Sequence, residues 1–174
     1  NATTYYDRTN YFELLPREHI EDALALEADR MRNAFIRAED KALEMTVVRN
    51  EYERGENDPT EALDKAVWAA AFTVHPYQYP VIGSRQDIEG VPIERLKQSY
   101  DTFYWPNNAT VTVIGDFDAP QALALIKKYF GEHPRSPEPI PVVTAVEPPQ
   151  KELRRVTVSR AGEIGIVSVS HKAP

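Results

Sequence analysis

Residues Glu39–Asn57 read EDKALEMTVVRNEYERGEN, and their period decides how the rest of the chain is organised. The spacing of the apolar residues predicts one helix of several turns. At about 100° per residue, with Leu43 at zero, Val47 falls at about 40°, Glu51 at about 80°, Glu44 at about 100°, Val48 at about 140° and Tyr52 at about 180°. Arg49, Asn50, Glu53 and Glu56 take the opposite arc. Glu44 and Glu51 therefore stand inside the apolar stripe, on the face expected to point into the protein. An ionised carboxylate is costly there unless it is paired, hydrogen-bonded or bound to a metal. The two acids are the first candidates for a functional site.

The bulk composition narrows the classes. With 174 residues, 42% hydrophobic and 27% charged, the chain can bury a sizeable core as one large domain, or one domain and part of another. A net charge of −7 and the lack of a basic patch argue against non-specific nucleic-acid binding, which needs cations to displace counterions. There is no cysteine, which excludes disulfides, thiolate metal sites and cysteine nucleophiles. No apolar run reaches the length of a membrane span. The start at Asn1, without an initiator methionine, reads as a processed protein or an excised piece.

Outward from the glutamate helix, residues 3–15 (TTYYDRTNYFELL) predict a strand, bent or broken around Asp7–Asn10. Pro16 opens a helix over roughly 17–35, with Ile20, Leu24, Ala28, Met31 and Phe35 on one stripe, and a short connection predicts that this helix and the next are antiparallel neighbours. Asp58-Pro59-Thr60-Glu61 is a capping signal for a helix to about residue 72. His75–Pro80 breaks the chain, and 81–90 reads as a loop. A further helix carries Ile93, Leu96, Tyr100 and Phe103; Ala109–Ile114 alternates as a strand; Asp118 and Gln121 cap a helix through Phe130, with Gly131 as its stop. Residues 134–150 hold six prolines and predict an extended linker. Beyond it, 152–159 and 163–170 alternate as two strands.

These landmarks occur in a recognisable order. Asn1-Ala2-Thr3-Thr4, DRTNYFELLP at 7–16, LEADRM at 26–31, EMTVVRNEYERGENDP at 44–59, HPY at 75–77, Ile82-Gly83, FYWPNNATVTVIGDFD at 103–118 and KKYFG at 127–131 together resemble the pitrilysin/insulinase-type zinc metallopeptidases. The resemblance covers nearly the whole chain. It implies an α+β fold, a two-layer sandwich with a mostly antiparallel sheet and helices packed on one face. It also implies that 1–133 is the C-terminal part of a first peptidase domain, 134–150 a Pro-rich linker, and 151–174 the opening strands of a second, related domain.

In that family a His-x-x-Glu-His helix and a distal glutamate build the zinc site. Glu51 matches the distal zinc ligand and Glu44 a nearby supporting acid. Asn1, Ala2 and Thr3 match the start of an edge strand to which an extended or unfolded peptide substrate adds by backbone hydrogen bonds. The sequence contains no His-x-x-Glu-His, and His19, His75, His133 and His171 are scattered. The expectation is a peptidase fragment, inactive as this chain, whose motif lies upstream of Asn1. Two other readings stand beside it: a non-catalytic pitrilysin-like partner or scaffold subunit, and an edge-strand module that binds peptides without cutting them. Glu51 taken alone is equally an acid paired with a nearby Arg or Lys, and Glu44 a buried ion pair with Arg30 or Arg32. Prokaryotic relatives of this layout are often exported to the periplasm, but nothing in these residues demands it, and the cytoplasm is also compatible. A pitrilysin-type partner subunit or a homo-oligomer is compatible with the same resemblance.

Overall fold

In the computed structural model, which describes residues 1–172, helices dominate. Strand β1 (Ala2–Tyr5) pairs with β2 (Arg8–Tyr11) across a turn at Tyr6-Asp7. Asn1 and Phe12 exchange backbone hydrogen bonds at 3.0 Å each way, which continues the pairing past the strand ends. Among the described residues six α-helices follow: α1 (Ile20–Asn33), α2 (Ala38–Asn57), α3 (Pro59–Ala71), α4 (Arg85–Gly90), α5 (Ile93–Phe103) and α6 (Ala119–Phe130). By contacts the chain forms two units. One contains Asn1–Thr3, Thr9–Ala38 and Pro92–Val142, the other Thr4–Arg8, Glu39–Val91 and Val143 onward.

In the first unit α1 packs on α6, burying Leu24, Ala28 and Ala122. The small alanines let the two helix backbones approach. The C-terminal end of α1 is fixed by polar contacts. Tyr100 Oη donates to the Arg30 carbonyl at 2.8 Å and accepts from the Ala34 N–H at 3.1 Å. Arg32 donates to the Tyr104 carbonyl at 2.8 Å and lies 3.7 Å from the Trp105 ring centroid. Its guanidinium is thus stacked and hydrogen-bonded at once, a role Lys does not fill. Arg30 pairs with Glu27 and stands 4.1 Å from the Tyr11 ring centroid. The Tyr11 hydroxyl, shared with Tyr104 at 2.6 Å, is pushed well above the usual tyrosine range, first by burial and then by that hydrogen bond.

In the second unit α2 runs into α3 through one residue. Asp58 accepts from the Thr60 and Glu61 N–H groups at 2.7 and 3.2 Å, and Pro59 opens the helix, as the capping signal predicts. Gly55 is buried in this turn, where an added Cβ would run into the Glu61 carboxylate. After α3 the rings of Tyr6, Trp68, Phe72, His75 and Tyr77 form a small aromatic core, with neighbouring centroids 4.2–5.8 Å apart. His75 caps the short 3-10 turn at Pro76–Gln78, the structural role its sequence context suggests.

Three expectations need correction. The mostly antiparallel sheet is not present: among the described residues the only sheet has two strands. Residues 109–114 and the two alternating stretches after the linker form no ladder. Ala109 has an extended backbone (φ −132°, ψ 153°), but an extended segment becomes a strand only when a neighbour satisfies its N–H and C=O groups. Ile114, Leu153, Ile164 and Val167 are each more than 80% exposed, so no partner covers these stretches within the described chain. Finally, 81–90 is not all loop. Ser84 and Asp87 form a reciprocal capping box that starts α4, with Gly83 at φ +83° before it. The Ser-x-x-Asp spacing was the available signal.

Candidate metal centre

Helix α2 spans the residues its period predicts, and Glu44 and Glu51 share a side of it. Among the described residues, however, that side is only partly covered. The apolar stripe divides lengthwise. Met45, Val48 and Tyr52 are half-buried and Gly55 is buried, whereas Leu43 and Val47 are 73% and 60% exposed. Glu44 and Glu51 lie between the two halves and both are exposed. The expectation that they point into the protein is therefore not met by this chain. A helical stripe half-covered by its own unit leaves the other half to solvent or to another segment.

The covered half shows how the unit treats charge when partners are at hand. Lys65 donates to Glu56 at 2.6 Å and sits 4.7 Å from the Tyr52 ring centroid, and Arg85 pairs with Glu53. Neither Glu44 nor Glu51 has a hydrogen-bond or ion-pair partner among the described residues. Within the first unit Arg30 is held by Glu27, and Arg32 by Asp101 and the Tyr104 carbonyl.

As donors, the two carboxylates fit a zinc ion, which accepts Asp or Glu oxygen alongside histidine nitrogen. Seven residues of helix separate their α-carbons by about 10 Å, so one of them ligating while the other supports is the simpler arrangement. They do not make a complete set. Among the described residues no three His, Cys, Asp or Glu side chains come together in a way that holds a metal. His19 is engaged with Asp22 at 3.0 Å, and His133 bonds the Ala28 carbonyl at 2.8 Å.

The third predicted element, Asn1-Ala2-Thr3, lies at the start of β1. The strand is exposed along its length, and one of its edges is bonded to β2. Among the described residues no strand occupies the other edge, so its backbone groups are open to pairing.

Comparison with known proteins identifies the class. The family model described as insulinase (peptidase family M16) matches residues 1–85, and that of the peptidase M16 inactive domain matches residues 90–173. The chain belongs to this family, the pitrilysin/insulinase peptidases. Among its relatives is the zinc protease PqqE of Helicobacter pylori, 29% identical over all of this chain and 40% of that protein. The crystal structure of a protease from Helicobacter pylori superposes with a TM-score of 0.81 at 29% identity, over 85% of this chain and 36% of that one. The ferredoxin protease FusC, solved in complex with Arabidopsis ferredoxin, superposes with a TM-score of 0.76 at 26% identity, over 85% of this chain and 16% of that one. The chain thus spans well under half the length of each.

Proposed function

We propose that this chain is a portion of a zinc-dependent metalloendopeptidase, in which Glu51 is a zinc ligand and Glu44 an acid that supports the site from nearby. The observation that carries this reading is the pair of unpartnered acids on the bare side of α2, next to the uncovered Leu43 and Val47. Uncovered apolar side chains flanking an acid suit a further segment that brings the remaining ligands and excludes water. The names of the relatives, zinc proteases, support the same metal. When bound, zinc supplies an activated water and polarises the scissile carbonyl. The role of this chain's residues is to hold and orient: Glu51 by its carboxylate oxygen, and Glu44 by the negative charge it keeps within a few turns of it. The open edge of β1 from Asn1 through Thr3 holds an extended or unfolded peptide by backbone hydrogen bonds, which tolerates many sequences. Residues 1–133 would then end a first peptidase domain, with 134–150 leading to the opening strands of a second.

On this reading the chain by itself is inactive, since the catalytic His-x-x-Glu-His is not among its residues. Metal analysis of the intact protein tests the assignment. One zinc per active site, lost in Glu51→Gln at unchanged helix content, supports it; full zinc retention in Glu51→Gln sinks it. A second reading, capture of peptides without cleavage, is favoured by the open edge of β1 alone. Peptide binding by an intact protein that contains no zinc would replace the first reading with this one.

A further inference from the structure

The loop after α3 presents three consecutive backbone N–H groups to a single carboxylate. Thr73 N donates to both oxygens of Glu147, at 2.8 and 3.0 Å, and the Thr73 hydroxyl donates at 2.8 Å. Val74 N and His75 N donate to Oε2 at 2.8 and 3.0 Å. The side chain of Glu147 is 10% exposed, and Lys172 Nζ stands 3.7 Å from its Oε1. Successive N–H groups turned to one side make an anion-binding concavity, and hydrogen bonds to an ionised acceptor are the strong kind. The loop is itself pinned. Phe72 N–H bonds the Trp68 carbonyl at the end of α3, and Pro76 begins the next turn.

A second clasp lies a few residues on. Arg154 Nη1 donates to the Ala70 and Ala71 carbonyls at 2.6 and 3.2 Å. These are among the last carbonyls of α3, which have no partner within the helix and favour a cation. Lys172 Nζ also sits 4.7 Å from the Phe72 ring centroid. Between the clasps Pro148 and Pro149 restrict the backbone, so docking this stretch costs less conformational entropy than docking a flexible one.

We propose that residues 147–154 are a strap, clasped to the end of α3 by Glu147 and Arg154, so that the close of the Pro-rich segment is a docked element and not a free tether. The clasp fixes where, on the same unit, the following chain sets out. Desolvation works to raise the Glu147 carboxyl, but the His75, Val74 and Thr73 donors outweigh it and hold the group down at about 2. The strap therefore stays closed throughout the neutral range.

Amide hydrogen exchange and limited proteolysis of the full chain test this, comparing the parent sequence with Glu147→Gln, Glu147→Ala and the control Glu152→Gln. Exchange at Thr73, Val74 and His75 should quicken by about tenfold or more in both Glu147 variants, and new cleavage should appear within 143–150. Glu152→Gln should match the parent. Unchanged exchange and cleavage in both Glu147 variants would overturn the strap. An NMR titration of the Glu147 carboxyl in the parent sequence decides independently of how the variants fold. A midpoint near 2 supports the clasp, and one in the ordinary glutamate range removes it.

Discussion

Glu147 and Glu51 carry the same side chain in the same structural unit, yet their surroundings are opposite. The first is saturated: three backbone N–H groups and one hydroxyl converge on it. The second is exposed on α2 and, among the described residues, has no partner. The contrast separates two kinds of acid. Glu147 is explained by what this chain provides, because each donor it meets lies within the unit. Glu51 is not, and its place on a half-bare apolar stripe fits the proposed role of a zinc ligand.

The contrast can be broken most directly at the metal. In the intact protein, Glu44→Gln should weaken zinc retention by about 10- to 100-fold and Glu51→Gln by more, read by competition with a chelator. Metal-free protein carrying either substitution should unfold within about 0.5 kcal/mol of the parent, because exposed, unpaired residues contribute little. A metal-independent loss well beyond that range would show that Glu51 has a structural partner after all.

Smaller effects sharpen the division along α2. Asp58→Ala removes the acceptor for two orphan N–H groups of α3 and should cost about 1 kcal/mol in a denaturant titration. Val48→Ala, on the covered half of α2, should cost about 1 kcal/mol through lost burial. Its neighbour Val47→Ala, on the bare half, should be neutral or slightly stabilising, since Ala is the better helix former. Equal losses at the two valines would mean that the bare half is covered.

The smallest effect concerns pH. The Glu147 carboxyl is depressed to about 2 from an ordinary 4.5. Its contribution to stability is therefore fully present above the ordinary value and is lost as pH falls through about 2. Between pH 7 and 5 the protection of the Thr73–His75 amides, corrected for intrinsic exchange, should not change. Loss of that protection already at pH 5 would contradict the saturated state of this acid.

Much of the helical structure was legible because its causes are local. The stripe from Ile20 to Met31, the Asp58-Pro59 and Asp118 caps, and the period of 39–57 each act within a turn or two of themselves, and α1, α2, α3 and α6 form accordingly. The Ser84–Asp87 capping box was as local but lay in a stretch without a strong apolar period. The alternating stretches after Asn108 form no ladder for a different reason. Alternation records which face a strand would bury, while the ladder depends on a neighbour that the sequence of the strand does not contain.

For the candidate site, the sequence by itself determined that Glu44 and Glu51 share a side of one helix, since 3.6 residues per turn leave no other outcome once the helix forms. Whether that side is covered was decided only in three dimensions, where α2 spends one half of its stripe on its own unit and leaves Leu43 and Val47 bare. The clasp on Glu147 was equally beyond the sequence. Its donors lie more than 70 residues away, and most are backbone N–H groups, which every residue but proline carries and no sequence pattern marks.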